Sequence, residues 1–192
     1  MNNRQAILQR IRSAQVPAEG LPDLSMFSAS GAESPVEQFK NTLAAIGGQV
    51  IEVASMDVLE TLLAEKSEGK RWVNTCSFIQ SGERLPDNMN PTALCDVFLA
   101  SMTGILAVAE NGAVWVTEEQ MKVRALPFIC EHLALVVEKK KIVANMHAAY
   151  NLLDTTGDGF GAFIAGPSKT ADIEQSLVLG AHGSRTLTVF LV

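Results

Sequence analysis

Clustered cysteines are missing from this chain: its three, Cys76, Cys95 and Cys130, lie far apart and no C-x-x-C occurs. That dispersal argues against an iron–sulfur cluster or zinc ion held by this chain alone. It fits reduced thiols buried as small apolar groups in a cytosolic protein. Metal-ligand histidine spacing is missing too, because His132, His147 and His182 are scattered with no H-x-x-x-H, so no metal cofactor is expected. No apolar run approaches the ~18 residues that a membrane span needs. Positive charge is in deficit, with a net charge of −6 and a pI near 5.1. Such a surface repels phosphate backbones and anionic lipid, which argues against nucleic acid and membrane surfaces as partners. A small anion stays admissible, since a locally basic site can exist on an acidic protein. No internal repeat or low-complexity tract occurs, and a soluble protein of the cytoplasm is the expectation.

What is present is ordinary globular material: 192 residues, 47% hydrophobic and 19% charged. That length buries a substantial core without disulfides or a structural metal. Residues 1–15 carry Arg4, Arg10 and Arg12 and no acid, with Ile7, Leu8 and Ile11 on one helical face. This reads as a first surface helix, although a basic, acid-free amphipathic start also resembles a mitochondrial presequence. Pro17, Gly20, Pro22 and Gly31 punctuate a connector, so the expected division is 1–32 as helix and connector and 33–192 as the main domain.

In the main domain, Ser34-Pro35-Val36-Glu37 supplies a helix start, with Ser34 as cap and Glu37 three residues on. Phe39, Leu43 and Ile46 form its buried stripe, and Gly47-Gly48 ends it. Strands over 49–53 and 71–75 around a helix over 56–65 complete a β-α-β run. A loop over 80–91 precedes apolar strands over 94–100 and 105–109. Asn111-Gly112 then joins 105–109 to a strand over 113–117, a strong hairpin signal. A helix over 118–125, a strand over 133–138, a solvated Lys139-Lys140-Lys141 turn and a helix over 143–153 follow. The chain finishes with a strand over 162–165, a loop over 166–170, a helix over 171–179, turns at Gly180 and Gly183, and a strand over 186–192. The alternation predicts an α/β layered fold, its sheet mostly parallel and flanked by helices.

Three segments can carry chemistry. Gly166-Pro167-Ser168-Lys169-Thr170-Ala171-Asp172-Ile173-Glu174 falls on a strand–loop–helix junction, where hydroxyls and a lysine at a helix start can hold an anion. It lacks the spacing of a phosphate-binding P-loop. The plainer reading makes Thr170 a cap, with Asp172 and Glu174 complementing the helix dipole. In Gly180-Ala181-His182-Gly183, His182 sits on a loop and can serve as acid, base or anion donor, or simply hold the turn. Glu110-Asn111-Gly112 presents a carboxylate at a turn tip, as a nucleophile or base or as a solvated hairpin residue.

The 166–174 segment, followed by Leu177-Val178-Leu179-Gly180-Ala181-His182-Gly183 and an apolar last strand, closely resembles the terminal motif of the LUD family. More narrowly it is similar to the LutC-type lactate-utilisation members. The resemblance extends through 96–117 and 124–137, where that family has an acidic-Gly turn and then a Pro and a His before a strand. It covers roughly the last 100 residues. Asn111 and Ala113 stand where the family has threonines, Lys169 where arginine is usual, and Ser184 where proline is common. An arginine's two-pronged contact is thus not available at Lys169.

The resemblance implies a fold like that of the ribose-5-phosphate isomerase, glucosamine-phosphate deaminase (NagB/RpiA) and CoA-transferase group. It implies a role in oxidising L-lactate to pyruvate beside two separate cysteine-rich iron–sulfur proteins, this chain carrying no redox centre. Glu110-Asn111-Gly112 also matches the core of a CoA-transferase motif whose glutamate attacks an acyl thioester. That leaves, as alternatives, a free-standing enzyme acting on a small acid or its CoA thioester, or a small-anion-binding regulatory module. For any of these the expectation is one cleft at the strand ends. Glu110 and His182 would act chemically there, with Asn111, Gly112, Gly166, Ser168, Lys169, Thr170, Asp172, Glu174 and Gly183 around a carboxylate.

Overall fold

The structure, a computed structural model, describes residues 3–16, 20, 22–23, 34–86, 89–153, 159–173, 176–180 and 182–192; the side chains of 171–179 lie outside the description. The chain forms two compact units, Met1–Ser30 and Gly31–Val192. The first contains helix α1 (Asn3–Ser13), which has no buried residue. Parts of the connector expected over 16–32 lie outside the described residues.

The second unit opens with α2 (Pro35–Ala45), which buries Phe39 and Leu43. Ser34 precedes it in extended conformation without a side-chain cap bond, and Glu37 binds Lys40 at 2.7 Å instead of reaching back. Proline's fixed φ sets the helix entry there. Gly47, at φ 87, ends the helix, and the N–H of Gly48 donates to the Leu43 carbonyl at 2.9 Å. Strand β1 (Gln49–Glu52) leads to α3 (Met56–Lys66), capped by Ser55 Oγ accepting from the Val58 N–H at 3.3 Å. Then come β2 (Trp72–Asn74), β3 (Leu99–Thr103), β4 (Leu106–Val108), β5 (Ala113–Thr117), α4 (Glu118–Met121) and α5 (Leu126–Ile129). The rest is β6 (His132–Val137), β7 (Ile142–Val143), α6 (Met146–Leu152), β8 (Gly161–Ala165), β9 (Lys169–Ile173), β10 (Ser176–Leu179) and β11 (Thr186–Leu191).

Five strands form a wholly parallel sheet in the order β1-β11-β6-β3-β2. A second sheet, β7-β4-β5-β8, contains the Asn-Gly hairpin as the antiparallel pair β4–β5. The pleat sorts side chains by parity. In β6, Leu133, Leu135 and Val137 face α2 and the second sheet, while Ala134 and Val136 face α3 with Leu59 and Leu63. In the second sheet, Val114 and Val116 of β5 join that shared core, while Trp115 turns outward to Phe163 and the α6 residue Ala149. The layers therefore run α3, parallel sheet, second sheet, α6, with α2 beside the second sheet. This is the mixed α/β, mostly parallel architecture expected from the strand–helix alternation. Among the described residues, no helix is long and apolar enough to cross a membrane.

Three elements differ from expectation. The strand expected over 94–100 begins only at Leu99, because Asn90 and Pro91 set up a 3₁₀ turn over Pro91–Leu94, with Asn90 Oδ1 accepting from the Thr92 N–H at 3.1 Å. The helix over 118–125 breaks at Lys122, whose φ of 62 is left-handed, and α5 restarts with Pro127 in its first turn. The helix over 171–179 is instead an antiparallel pair, with Val178 opposite Thr170 and Leu179 opposite Lys169. Periodicity in so short an apolar run does not separate helix from strand, and the hairpin satisfies the backbone through its neighbour.

Candidate functional site

The turn after β4 and the loop after β8 lie at one edge of the second sheet, because β5 separates β4 from β8 and Ala113 pairs with Ala165. Two strand spacings put them roughly 10 Å apart. Both press on the end of α2. A Cβ on Gly112 (φ 69) would stand 3.1 Å from Leu43 Cα, and one on Gly166 (φ 73) 3.0 Å from the Ile46 carbonyl oxygen. Close backbone approach and a left-handed φ together require glycine at both places. Relative to the parallel sheet, this edge is where β1 and β11 begin, not where its strands end.

Lys169 Nζ donates to the Ile46 carbonyl, placing its charge at the carboxyl end of α2, where a helix favours a cation. Ser168 Oγ donates to the His182 carbonyl at 3.0 Å, and the Ser168 N–H to the Ser184 carbonyl at 2.8 Å. A Cβ on Gly183 would meet Ser168 Cβ at 3.0 Å. Residues 166–169 are thus clasped between α2 and residues 182–184. Since no helix begins at Thr170, that residue does not cap one, and Asp172 does not face a helix dipole. Glu174 and the side chain of Asp172 lie outside the described residues. Gly180, at φ 73, follows a strand and not a helix.

Asn111 Oδ1 accepts from the Ala113 N–H at 3.0 Å and closes the hairpin turn. The exposed Glu110 carboxylate accepts from the Met146 N–H at 2.9 Å, at the start of α6. The pair β4–β7 is parallel, so the ends of both strands meet there.

His182 is exposed and lines a groove that the sequence reading missed. Three overlapping clefts of about 320, 410 and 750 Å³ run along the starting edge of the parallel sheet. The first passes Gly47–Gln49 and Thr186; the second is walled by Glu68, Lys70, Phe98, Glu131, His132 and Arg185; the third continues to His182. Glu110 lines none of them, so its side chain and that of His182 do not share this groove. Within it, His132 Nδ1 lies 2.7 Å from Thr186 Oγ1, and Arg185 binds Glu131 at 2.7 Å. Burial, opposed by Glu131, holds the His132 pKa below the ordinary imidazole value. The only hint in the sequence was a histidine placed just before a strand.

The thiols divide by exposure. Burial pushes Cys76 up to about 11 and Cys130 up to about 12, which leaves both protonated and unreactive at neutral pH, whereas Cys95 is exposed.

A family model described as the LUD domain matches residues 4–192 of the chain. Lactate utilization protein C of Shouchella clausii is 36% identical over 83 residues, which is 41% of this chain and 36% of that protein. Its counterpart from Bacillus pumilus is 35% identical over 82 residues, 40% of this chain and 34% of that one. These matches span about a third of the length of the curated relatives. The crystal structure of a DUF162 family protein from Deinococcus radiodurans is 18% identical and superposes with a TM-score of 0.64, covering 82% of this chain and 96% of that one, a likeness of fold. The LUD-domain match takes in both glycine turns, the clasped 166–169 segment and the final strand, and the chain belongs to the LUD domain family.

Proposed function

We propose that this chain serves L-lactate utilisation as a LutC-like component of a cytoplasmic system in which separate iron–sulfur proteins oxidise lactate to pyruvate. In this reading it carries no redox centre and binds a small carboxylate. The observation that carries the proposal is the Gly166–Gly183 run, with its likeness to the terminal motif of lactate-utilisation members. The similarity to proteins named Lactate utilization protein C supports it. Three dispersed cysteines, two of them buried, suit a member that leaves electron transfer to others. Deleting the gene is expected to abolish or strongly slow growth on L-lactate as sole carbon source, with growth on glucose unchanged. Full growth on lactate in a strain without a duplicate gene would end this reading.

A second reading has one observation in its favour: the Glu110 carboxylate is exposed at the Glu-Asn-Gly turn. As a nucleophile it would attack an acyl thioester, forming a glutamyl anhydride and releasing CoA thiolate. The CoA thiolate would then attack the glutamyl carbonyl of the anhydride and expel the free carboxylate, so incubation with acyl-CoA should give the mass of a glutamyl-CoA thioester on the peptide holding Glu110, lost in Glu110→Gln. A clean peptide mass in the unaltered protein rules this chemistry out.

A further inference from the structure

We infer that the groove along the starting edge of the parallel sheet binds a small 2-hydroxycarboxylate, with Arg185 and Lys70 holding the carboxylate and His132 Nε2 accepting the hydroxyl proton in a hydrogen bond. The anion class follows from the groove itself. The choice of a hydroxy acid rests on the function proposed above.

Three separate segments of chain deliver these side chains to one cleft of about 410 Å³, within the size range of small-ligand sites. Lys70 Nζ stands 3.8 Å over the centroid of the Phe98 ring and 2.8 Å from Glu68, which fixes its charge above an apolar floor. Arg185 is oriented by Glu131 through one of its two terminal nitrogens, and a guanidinium has five N–H donors in a planar fork. Along the first two clefts, Lys66, Lys70 and Arg185 face Glu68 and Glu131, three cations against two carboxylates on a protein of net charge −6.

In the tautomer with its proton on Nδ1, His132 can accept a hydrogen bond from the cleft. Its ring packs edge-on against Phe98 at 4.6 Å between centroids, and its Nδ1 meets Thr186 Oγ1. Nε2 is 3.9 Å from Glu131, too far for a hydrogen bond. With the proton on Nδ1 and donated to Thr186, Nε2 presents its lone pair to the cleft. The depressed pKa keeps the ring neutral near pH 7, the state in which it can accept.

The test titrates the full chain with sodium L-lactate and, separately, sodium propionate, the same skeleton without the hydroxyl, followed by amide NMR and calorimetry. Saturable shifts at His132, Thr186 and Arg185 are expected, with lactate binding about tenfold more tightly than propionate. Arg185→Gln, at an exposed position, should weaken both ligands about tenfold. His132→Phe keeps a ring against Phe98 and should bring lactate down to the propionate level; thermal melting of each variant confirms that it is folded. Shifts centred on Glu110 and Lys169, no saturable shift at all, or a lactate preference that survives His132→Phe would each overturn the assignment. The growth experiment is independent. A strain that needs the protein for lactate while the groove binds nothing loses only this inference, and a groove that binds lactate in a protein dispensable for growth loses only the proposed function.

Discussion

Asn74→Ala is expected to destabilise the protein by roughly 3 kcal/mol or more, because it strips the centre from a buried polar network. Asn74 is fully buried at the end of β2. Its Nδ2 donates to the Ser81 carbonyl at 2.8 Å and the Ile79 carbonyl at 3.3 Å, while Oδ1 accepts from the Cys76 N–H at 2.9 Å and Ser101 Oγ at 3.0 Å. Ser101 Oγ in turn accepts from Trp72 Nε1 at 2.8 Å. Alanine would orphan the buried Cys76 N–H and take its acceptor from the buried Ser101 hydroxyl, and each unsatisfied buried donor or acceptor costs about 1–3 kcal/mol. The loop over 75–84 should stay attached, since Arg84 still ties it by donating to the backbone carbonyls of Asn74, Cys76 and Ile79. Urea unfolding measures the loss. In the double variant with Ser101→Ala the two losses should sum to less than their separate values, because they share one network. A loss under about 1 kcal/mol for Asn74→Ala would show that the network contributes little.

Leu43→Ala is the second large effect, at roughly 2–5 kcal/mol. Leu43 is fully buried on the inner face of α2, in the core shared by the two sheets. Its side chain fills the space against Gly48, where a Cβ would come within 2.6 Å of Leu43 Cδ1, and its backbone is the surface on which Gly112 rests. The cavity would therefore open under the edge where Gly112, Gly166 and Lys169 gather. Leu43→Met, which nearly conserves volume, should cost less than about 1.5 kcal/mol. The check is denaturant unfolding of both variants; equal losses would mean that packing at Leu43 is not what holds α2 in place. Amide exchange at Gly48, whose N–H donates to the Leu43 carbonyl, should quicken in Leu43→Ala and stay slow in Leu43→Met.

What the sequence determined by itself was carried by signals a few residues long. Pro35 and Gly47-Gly48 bound α2, the spacing of Phe39 and Leu43 picks its buried face, and Asn111-Gly112 turns β4 into β5. The alternation of apolar strands and helices sufficed for a parallel layered sheet. These are backbone preferences and periodicities, and they act locally. Which groups meet was decided by the order of strands. Lys169 ends on a carbonyl 123 residues away, Glu110 reaches an N–H 36 residues on, and His132 meets Thr186 across 54 residues. Residues 171–179 carried a pattern compatible with a helix, yet the antiparallel pairing of β9 with β10 prevailed and removed the expected helix-start anion site. No spacing rule reports the groove at His132, because it exists only where β6, β11 and β3 begin side by side. Local chemistry chooses the elements, and partners far apart in sequence become neighbours only when the sheet closes on its core.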